Sequence, residues 1–373
     1  MNRDEFWMKR ALVLAERGRG RTSPNPLVGA VVVSKDHLIA EGYHGRLGGP
    51  HAEVVALRRA GARAKGATLY VTLEPCVHWG RTGPCVGTIL KSGIKRVVIA
   101  MRDPNPLVRG RGIRNLSQSR LSMKVGVLEK EAKELNRPFA TYMTEHRPYI
   151  TVKVAQSLDG KIATSSGHSR WISGPEARKL AHRLREEVDA VLVGVNTVLK
   201  DNPLLLARPN GRLSQQQPKR FVLDRYLRTS PGSKIVKSTH LSPVTIVIGK
   251  DVSSRKTSSF RHTKVQFLKV RARGDRIDLK EFLRNLAERE VAHLLIEGGG
   301  TLIGEAFEKK VVDELYVFIA PKIIGGKEAP TAVEGKGISR VIEAFSLKQM
   351  SWRQMGQDLL IHGFFQPVNS RTR

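Results

Sequence analysis

Four residues of this 373-residue chain have the types and spacing of a hydrolytic metal site: His51, Glu53, Cys76 and Cys85. One imidazole and two thiolates give a tetrahedral zinc ion three ligands and leave its fourth position to water. The metal lowers the pKa of that water to about 7, so a hydroxide nucleophile is available at neutral pH. Glu53 stands two positions after His51 and is not needed as a ligand. Its carboxylate is free to take the water proton and deliver it to a leaving group. Cys76 and Cys85 are the only cysteines of the chain. Alone, such a pair reads equally as a disulfide, a redox pair or a metal pair; the neighbouring His-x-Glu decides for metal.

The order His51-Ala52-Glu53, then Pro75-Cys76, then Pro84-Cys85 is the pattern of zinc-dependent deaminases, in which hydroxide attacks an amino-bearing ring carbon. One feature departs from it. The general signature spaces its cysteines as C-x-x-C, whereas here the eight residues 77–84 intervene, Val-His-Trp-Gly-Arg-Thr-Gly-Pro. Polar side chains of this insertion are placed to reach a substrate.

The elements that must hold these groups follow from hydropathy patterning. Asp4 to Arg17 carries apolar residues near helical spacing. Leu27 to Val33 and His37 to Gly42 predict two strands around the turn Ser34-Lys35-Asp36. His51 to Ala60 predicts a helix, Thr68 to Leu73 a strand, Pro84 to Ser92 a helix and Lys95 to Ala100 a buried strand. The breaker run Asp103-Pro104-Asn105-Pro106 follows. His51 therefore opens one helix and Cys85 another, where partial positive charge favours thiolates. Cys76 lies just after a strand. Alternating strands and helices indicate an α/β layered fold.

A helical stretch from Leu128 to Glu145 ends at Arg147-Pro148, and a strand from Tyr149 to Ala155 starts at once. The expected domains are 1–146 and 147–373. In the second, Ser173-Gly-Pro-Glu176 reads as a capping box with proline in the first turn. Ala177, Leu180, Ala181, Leu184 and Val188 give the helix after it one apolar face. Strands are expected at Ala190 to Val195, Val244 to Ile248, Val265 to Leu268, His293 to Ile296 and Leu315 to Ala320. A polar loop is expected at Asn210 to Pro218, and helices at Leu279 to Glu288 and Leu302 to Lys309. Gly298-Gly-Gly300-Thr301 between strand and helix reads either as a plain tight turn or as a phosphate cradle, in which glycine lets backbone N–H groups approach an anion at a helix start. The spacing Gly298, Gly300, Gly304 misses G-x-G-x-x-G by one residue.

Composition bounds the rest. The length calls for more than one core. No run of 18 apolar residues exists, so no membrane-spanning helix is expected. The N-terminus reads as the start of a helix, which places the chain in the cytoplasm. The net charge is +30, and Arg208 to Arg276 holds 17 basic against 3 acidic residues. Such a balance attracts polyanions. The basic residues are scattered with few aromatics among them, which argues for a solvated surface suited to phosphorylated substrates and against nucleic acid.

Across Thr72-Leu-Glu-Pro-Cys-Val-His-Trp-Gly-Arg-Thr-Gly-Pro-Cys85 the sequence resembles the bifunctional riboflavin-biosynthesis deaminase–reductase family. The resemblance continues through Asn25-Pro26, Gly42-Tyr43-His44, Gly49-Pro50-His51-Ala52-Glu53 and Asp103-Pro104-Asn105-Pro106. In the second domain it runs through Ser157-Leu-Asp-Gly-Lys-Ile-Ala163, Trp171-Ile172, Gly194-Val-Asn-Thr197, Asp201-Asn-Pro203 and Glu297-Gly-Gly-Gly-Thr301. It covers about Phe6 to Phe365.

The resemblance implies a cytidine-deaminase-like three-layer N-terminal domain and a dihydrofolate-reductase-like C-terminal domain. The first would use Zn(2+) to remove the 2-amino group of a diaminopyrimidinone bearing a phosphoribosylamino substituent. The second would use NADPH to reduce the ribosyl group to ribityl. By matching position, His51, Cys76 and Cys85 hold zinc, Glu53 is catalytic, and Asn25, His44 and His78 line the pyrimidine site. Ala155, Trp171, Thr197, Asp201, Gly298, Gly299, Gly300 and Thr301 match cofactor positions. Ser169, Arg185, Leu205, Arg208 and Glu297 match substrate positions, with Lys153 near the reacting sugar. Arg185 and Arg208 suit a sugar phosphate through their forked donors. A homo-oligomer is also implied.

Two residues depart from the family pattern. Gly83 stands where a proline is usual, which loosens the loop before Cys85. Arg225 stands where a smaller residue is usual and is expected to pair with the 2′-phosphate of NADPH. Two other readings stay open. A tRNA adenosine deaminase shares the zinc signature and would suit the charge, but leaves the second domain without a role. A deaminase with a binding-only second domain would keep zinc chemistry without reduction.

Overall fold

The computed structural model describes residues 2–79 and 83–365. The chain divides into two compact units, Met1–His146 and Arg147–Arg373. Among the described residues, no helix is long and apolar enough to cross a membrane.

The first unit runs α1 (Arg3–Glu16), β1 (Gly29–Ser34), β2 (His37–Tyr43), α2 (Ala52–Ala60), β3 (Thr68–Leu73), α3 (Cys85–Lys91) and β4 (Arg96–Met101). It ends with α4 (Arg111–Ser117), β5 (Ser122–Val125), α5 (Glu129–Leu135) and α6 (Arg137–Glu145). The sheet order is β2-β1-β3-β4-β5. The β1–β2 hairpin is antiparallel, and β3, β4 and β5 run parallel. Lys35 and Asp36 both have positive φ, 48° and 65°, the two-residue turn that matches the twist of a hairpin. Consecutive residues of β1, β3 and β4 are buried. Successive side chains point to opposite faces, so both faces of the sheet are covered, which makes the layered α/β/α arrangement.

Asp4 ties α1 to this sheet. Its carboxylate accepts from Arg96 at 2.8 Å through both oxygens, from Lys124 at 2.9 Å and from the Tyr70 hydroxyl at 3.0 Å. The Arg96 fork holds the Asp4 carboxyl well below the usual carboxylate range, while burial and then the hydrogen bond to Asp4 push the Tyr70 hydroxyl up to about 12. Asp4 is buried but Arg96 and Lys124 keep partial access to water, so removing the carboxylate is expected to cost only about 1–2 kcal/mol. Asp4→Ala is therefore expected to lower the melting temperature of the deaminase unit by several degrees. A depressed native pKa stabilises above the unfolded carboxylate value of about 3.9 and is lost as pH falls. The gap between wild type and variant should close below that pH; an unchanged gap in acid would contradict this role.

The second unit runs β6 (Tyr149–Ser157), α7 (Pro175–Glu187), β7 (Ala190–Gly194), α8 (Val195–Asp201), β8 (Lys219–Leu223), α9 (Lys234–Lys237), β9 (Val244–Gly249), α10 (Ser254–Ser258) and β10 (Gln266–Val270). Then come β11 (Ala272–Arg273), β12 (Arg276–Ile277), α11 (Leu279–Glu288), β13 (His293–Ile296), α12 (Gly300–Glu308), β14 (Glu314–Ala320), β15 (Gln349–Met355) and β16 (Asp358–Phe364). The large sheet has the order β10-β9-β8-β7-β13-β6-β14-β16-β15. It is parallel from β10 to β14, with antiparallel β16 and β15 at one edge. The carboxyl ends of β6, β7 and β13 lie side by side, where ligands of parallel sheets bind.

Two expectations are corrected. No capping box forms at Ser173: the N-cap of α7 is Gly174, without a side-chain cap, and Pro175 opens the helix. The Gly174 amide donates instead to Asp358 at 2.6 Å, a partner remote in sequence. The strand from Ala190 stops at Gly194, and Val195 already belongs to α8. Short elements not anticipated include α4, β5, β8, α9 and the hairpin β15–β16.

Candidate active sites

In the first unit, the ends of three elements meet. His51 is the N-cap residue of α2, Cys76 follows β3, and Cys85 is the first residue of α3. His51 Nδ1 lies 3.1 Å from Cys85 Sγ and 3.5 Å from Cys76 Sγ. All three donor atoms fall within 4.8 Å of one another. A tetrahedral zinc with ordinary Zn–S and Zn–N bonds separates its ligands by roughly 3.5 Å, so the donor set fits that ion. The Cys85 amide points at Cys76 Sγ at 3.4 Å, and the Val86 amide bonds the Cys76 carbonyl. Hydrogen bonds from Cys85 and His51 hold the Cys76 thiol far down, at about 4. Glu53, in the first turn of α2, is buried, and burial raises its carboxyl above the ordinary value. A carboxyl so placed suits a group that must both accept and release a proton.

His51, Glu53 and Cys76 line a cleft open at its mouth. Asn25, His44 and His78 line it too, as the sequence expects, together with Glu74, Asp103, Asn105, Phe139 and Met143. His44 bridges Asn25 Nδ2 at 3.3 Å and the Pro50 carbonyl at 3.1 Å, and its buried ring titrates below the ordinary range. His78 Nδ1 is buried without a hydrogen-bond partner among the described residues. Burial pushes the Asp103 carboxyl up to about 7.

Glu74 was missed as a site-framing residue. Its carboxylate accepts the amides of Asp103, Gly110 and Ile113 at 3.1, 3.0 and 3.1 Å, fastening the breaker run to the zinc loop. Its place beside Pro75-Cys76 and the motif Asp103-Pro104-Asn105-Pro106 were the available signals. At Gly83, an added Cβ would come within 3.2 Å of the Trp79 ring. Gly80, Arg81 and Thr82 of the insertion lie outside the described residues.

In the second unit, Glu297 follows β13 and sits between two cations. Arg185 grips it through Nε and Nη2 at 2.5 and 2.8 Å, and Lys153 of β6 approaches to 3.1 Å. Burial alone would raise this carboxyl, but Arg185 and Lys153 hold it well below the usual carboxylate range. Arg185, expected at the sugar phosphate, has its Nε and Nη2 on a neighbouring carboxylate. The fork is on Glu297, and Nη1 bonds the Leu206 carbonyl at 3.2 Å. Arg208 differs: its buried Nε has no partner among the described residues. Leu205 is buried with φ at 55°, and Ser169 Oγ donates to Asp201 Oδ1 at 2.7 Å.

The glycine run divides into two jobs. Gly298 has φ at 121° with open space where a Cβ would stand, and the nearest atom to a Cβ on Gly299 is Thr197 Oγ1 at 3.7 Å. These two precede α12 and leave room for a ligand phosphate. Gly300 and Gly304 face the chain itself: a Cβ there would come to 2.3 Å from the Thr331 carbonyl and 1.6 Å from that of Glu334. The imperfect spacing is thus explained by packing. Thr301 Oγ1 donates to Glu334 at 2.8 Å. Ala155 lies on β6, and exposed Trp171 carries the Arg178 guanidinium 4.6 Å over its ring. Gly298, Gly299 and Thr197 therefore fit a dinucleotide phosphate. Arg225, expected at the 2′-phosphate of NADPH, is paired with a carboxylate. Asp251 takes its fork at 2.5 and 2.7 Å, so its charge is already matched.

Comparison with known proteins matches both units to known families. The family described as RibD C-terminal domain matches residues 148–361, and the family described as cytidine and deoxycytidylate deaminase zinc-binding region matches residues 1–101. The chain is 45% identical over 360 residues to riboflavin biosynthesis protein RibD of Aquifex aeolicus, covering 96% of this chain and 97% of that one. The solved structure of Acinetobacter baumannii RibD superposes with a TM-score of 0.86 at 36% identity, covering 97% and 98% of the two chains. A Thermotoga maritima structure, described as a diaminohydroxyphosphoribosylaminopyrimidine deaminase/5-amino-6-(5-phosphoribosylamino)uracil reductase, gives 0.84 at 36% identity, covering 96% and 97%.

Proposed function

Because the chain belongs to the riboflavin-biosynthesis RibD family, it is a bifunctional zinc-dependent deaminase and NADPH-using reductase, and we propose which residues act and on what. The substrate is 2,5-diamino-6-(5-phosphoribosylamino)pyrimidin-4(3H)-one, deaminated in the first unit and reduced at its ribosyl group in the second. The donor triangle of His51, Cys76 and Cys85 beside buried Glu53 is the observation that carries this reading.

Bound zinc supplies Lewis-acid activation of water. Glu53 takes the proton of that water on its carboxylate and returns it to the departing amino group, which leaves as ammonia. Asn25 and His44 hold one another and present a fixed polar wall to the pyrimidine, while His78 Nδ1 offers an unused polar atom to it. In the second unit, bound NADPH supplies a hydride. The Gly298 and Gly299 backbone receives a cofactor phosphate, with Thr197, Ala155, Trp171, Asp201, Gly300 and Thr301 around the cofactor. Lys153 stands at the reacting sugar, oriented by Glu297. Ser169, Leu205 and Arg208 bind the rest of the substrate, Arg208 its phosphate through the unpartnered Nε. Arg185 contributes by fixing Glu297.

A coupled assay tests this on the zinc-loaded chain. Ammonia should appear from the diaminopyrimidinone without NADPH, and NADPH should be oxidised only after deamination. Ammonia from tRNA and none from the pyrimidine would overturn the substrate; ammonia with NADPH left idle would leave a binding-only second unit.

The chain also assembles as a homo-oligomer and resides in the cytoplasm. Exposed Ile338, Val341, Ile342, Met350 and Trp352 cluster in sequence around the edge strand β15, whose outer edge is open to pairing. Two unlinked cysteines suit a reducing compartment. Sedimentation should give a multiple of 41.4 kDa, reduced by Trp352→Asp; a single-chain mass for the wild type would refute the assembly.

A further inference from the structure

His182 lies on α7 one turn before Arg185 and is half-buried. Two donors converge on its Nδ1: the Arg208 amide at 3.2 Å and Arg185 Nη1 at 3.5 Å. The Leu206 carbonyl, 3.0 Å from the same nitrogen, receives Arg185 Nη1 at 3.2 Å. Nδ1 thus faces two donors and one carbonyl; because that carbonyl already receives Arg185 Nη1, the arrangement favours the tautomer with the lone pair on Nδ1 and the proton on Nε2. Burial first, then the adjacent Arg185 charge, keeps the ring far below its ordinary range, at about 4, so it stays a neutral acceptor at working pH.

The backbone around this ring is held piece by piece. Arg220 bonds the Leu204 carbonyl at 2.7 Å, Arg185 the Leu206 carbonyl, and Gln217 both backbone groups of Ala207 at 2.8 and 2.9 Å. The Arg208 amide falls to His182. The same ring thus touches Arg185, which grips Glu297, and the backbone of Arg208, whose buried Nε is unpartnered.

We propose that His182 is a positioning residue of the reductase site: its Nδ1 accepts the Arg208 amide and so sets the turn that aims Arg208 at the substrate phosphate. This rests on the reading of Arg208 as the phosphate anchor. The ring does not touch the reacting atoms. Its effect falls on substrate capture, with little on the chemical step.

The test is steady-state NADPH oxidation by the full zinc-loaded chain with the deaminated phosphoribosylaminouracil, comparing His182→Ala, His182→Asn, His182→Gln and Arg208→Ala. An asparagine Oδ1 can stand where Nδ1 stood, whereas the longer glutamine places its oxygen elsewhere. His182→Ala is expected to raise KM for the phosphorylated substrate roughly tenfold, the scale of one lost hydrogen bond to an ordered loop. Its kcat should stay within threefold and its NADPH affinity unchanged. His182→Asn should recover most of the loss and His182→Gln should not. NADPH binding followed by fluorescence confirms that the unit is folded in each variant, and ammonia release by the first unit calibrates active protein. If Arg208→Ala raises KM while His182→Ala leaves it within twofold, the positioning role is refuted and the anchor survives. Asparagine behaving as alanine would refute the acceptor role. If Arg208→Ala leaves KM unchanged, the anchor reading falls and this inference with it.

Discussion

Glu53→Gln is expected to lower ammonia release by roughly a thousandfold, within the range of about 10²–10⁴ contributed by a positioned acid–base group. Glutamine matches glutamate in size and still occupies the first turn of α2, so the packing around it is kept. What it lacks is a group that can take and give back a proton. A thousandfold loss corresponds to about 4 kcal/mol of transition-state stabilisation. His51, Cys76 and Cys85 are untouched, so zinc content should stay at the wild-type value. Reduction of the pre-deaminated substrate should also be unchanged, because Glu297, Lys153 and Arg185 lie in the other unit. A variant that kept its zinc and lost less than tenfold would assign the proton shuttle to another group. Asp103, which lines the same cleft and is pushed up to about 7 by burial, would be the first to examine.

Glu297→Gln should do to the second activity what Glu53→Gln does to the first. The Glu297 carboxylate is 3% exposed and balances two cations, Arg185 and Lys153. Neutralising it leaves both cations without a counter-charge in a buried place, a perturbation of about 3 kcal/mol or more. Lys153 then loses its orientation toward the reacting sugar, and Arg185 is free to swing away. The expected result is a loss of at least about a hundredfold in kcat/KM for NADPH oxidation. Ammonia release by the same preparation should be intact, which separates a local effect from a failure of the whole chain. A change under threefold would reduce Glu297 to a structural counter-ion and Lys153 to an ordinary partner in a buried ion pair.

The two halves of the chemistry were legible to different depths. The deaminase site could be read because its parts are short motifs, each placed at the end of an element that hydropathy also predicts. His51 at a helix start, Cys76 after a strand and Cys85 at the next helix start need only the right fold class to converge. The reductase site has no such marker. Its glycine run looked like one imperfect phosphate motif. In the fold, Gly298 and Gly299 face open space, while Gly300 and Gly304 are small because residues 331 and 334 pass against them.

Charged residues show the limit most clearly. Arg185 and Arg225 both looked available to phosphates, and both have their forks on carboxylates, Glu297 and Asp251. Arg208, with no better sequence credentials, keeps a buried donor unused. A guanidinium reads the same in any sequence; what it binds depends on which carboxylate packing brings within reach.

The sequence by itself determined the alternation of strands and helices, and it marked the candidate metal donors, the proposed proton carrier and the expected place where one unit gives way to the next, because ligand chemistry and hydrophobic periodicity are local properties. Tertiary structure alone decided the partners. Asp4 meets Arg96, Glu74 gathers three distant amides, and Arg185 reaches Glu297 across 112 residues of chain. Such pairings follow from how layers stack and registers align, and burial then sets their strength by removing the water that would otherwise screen them.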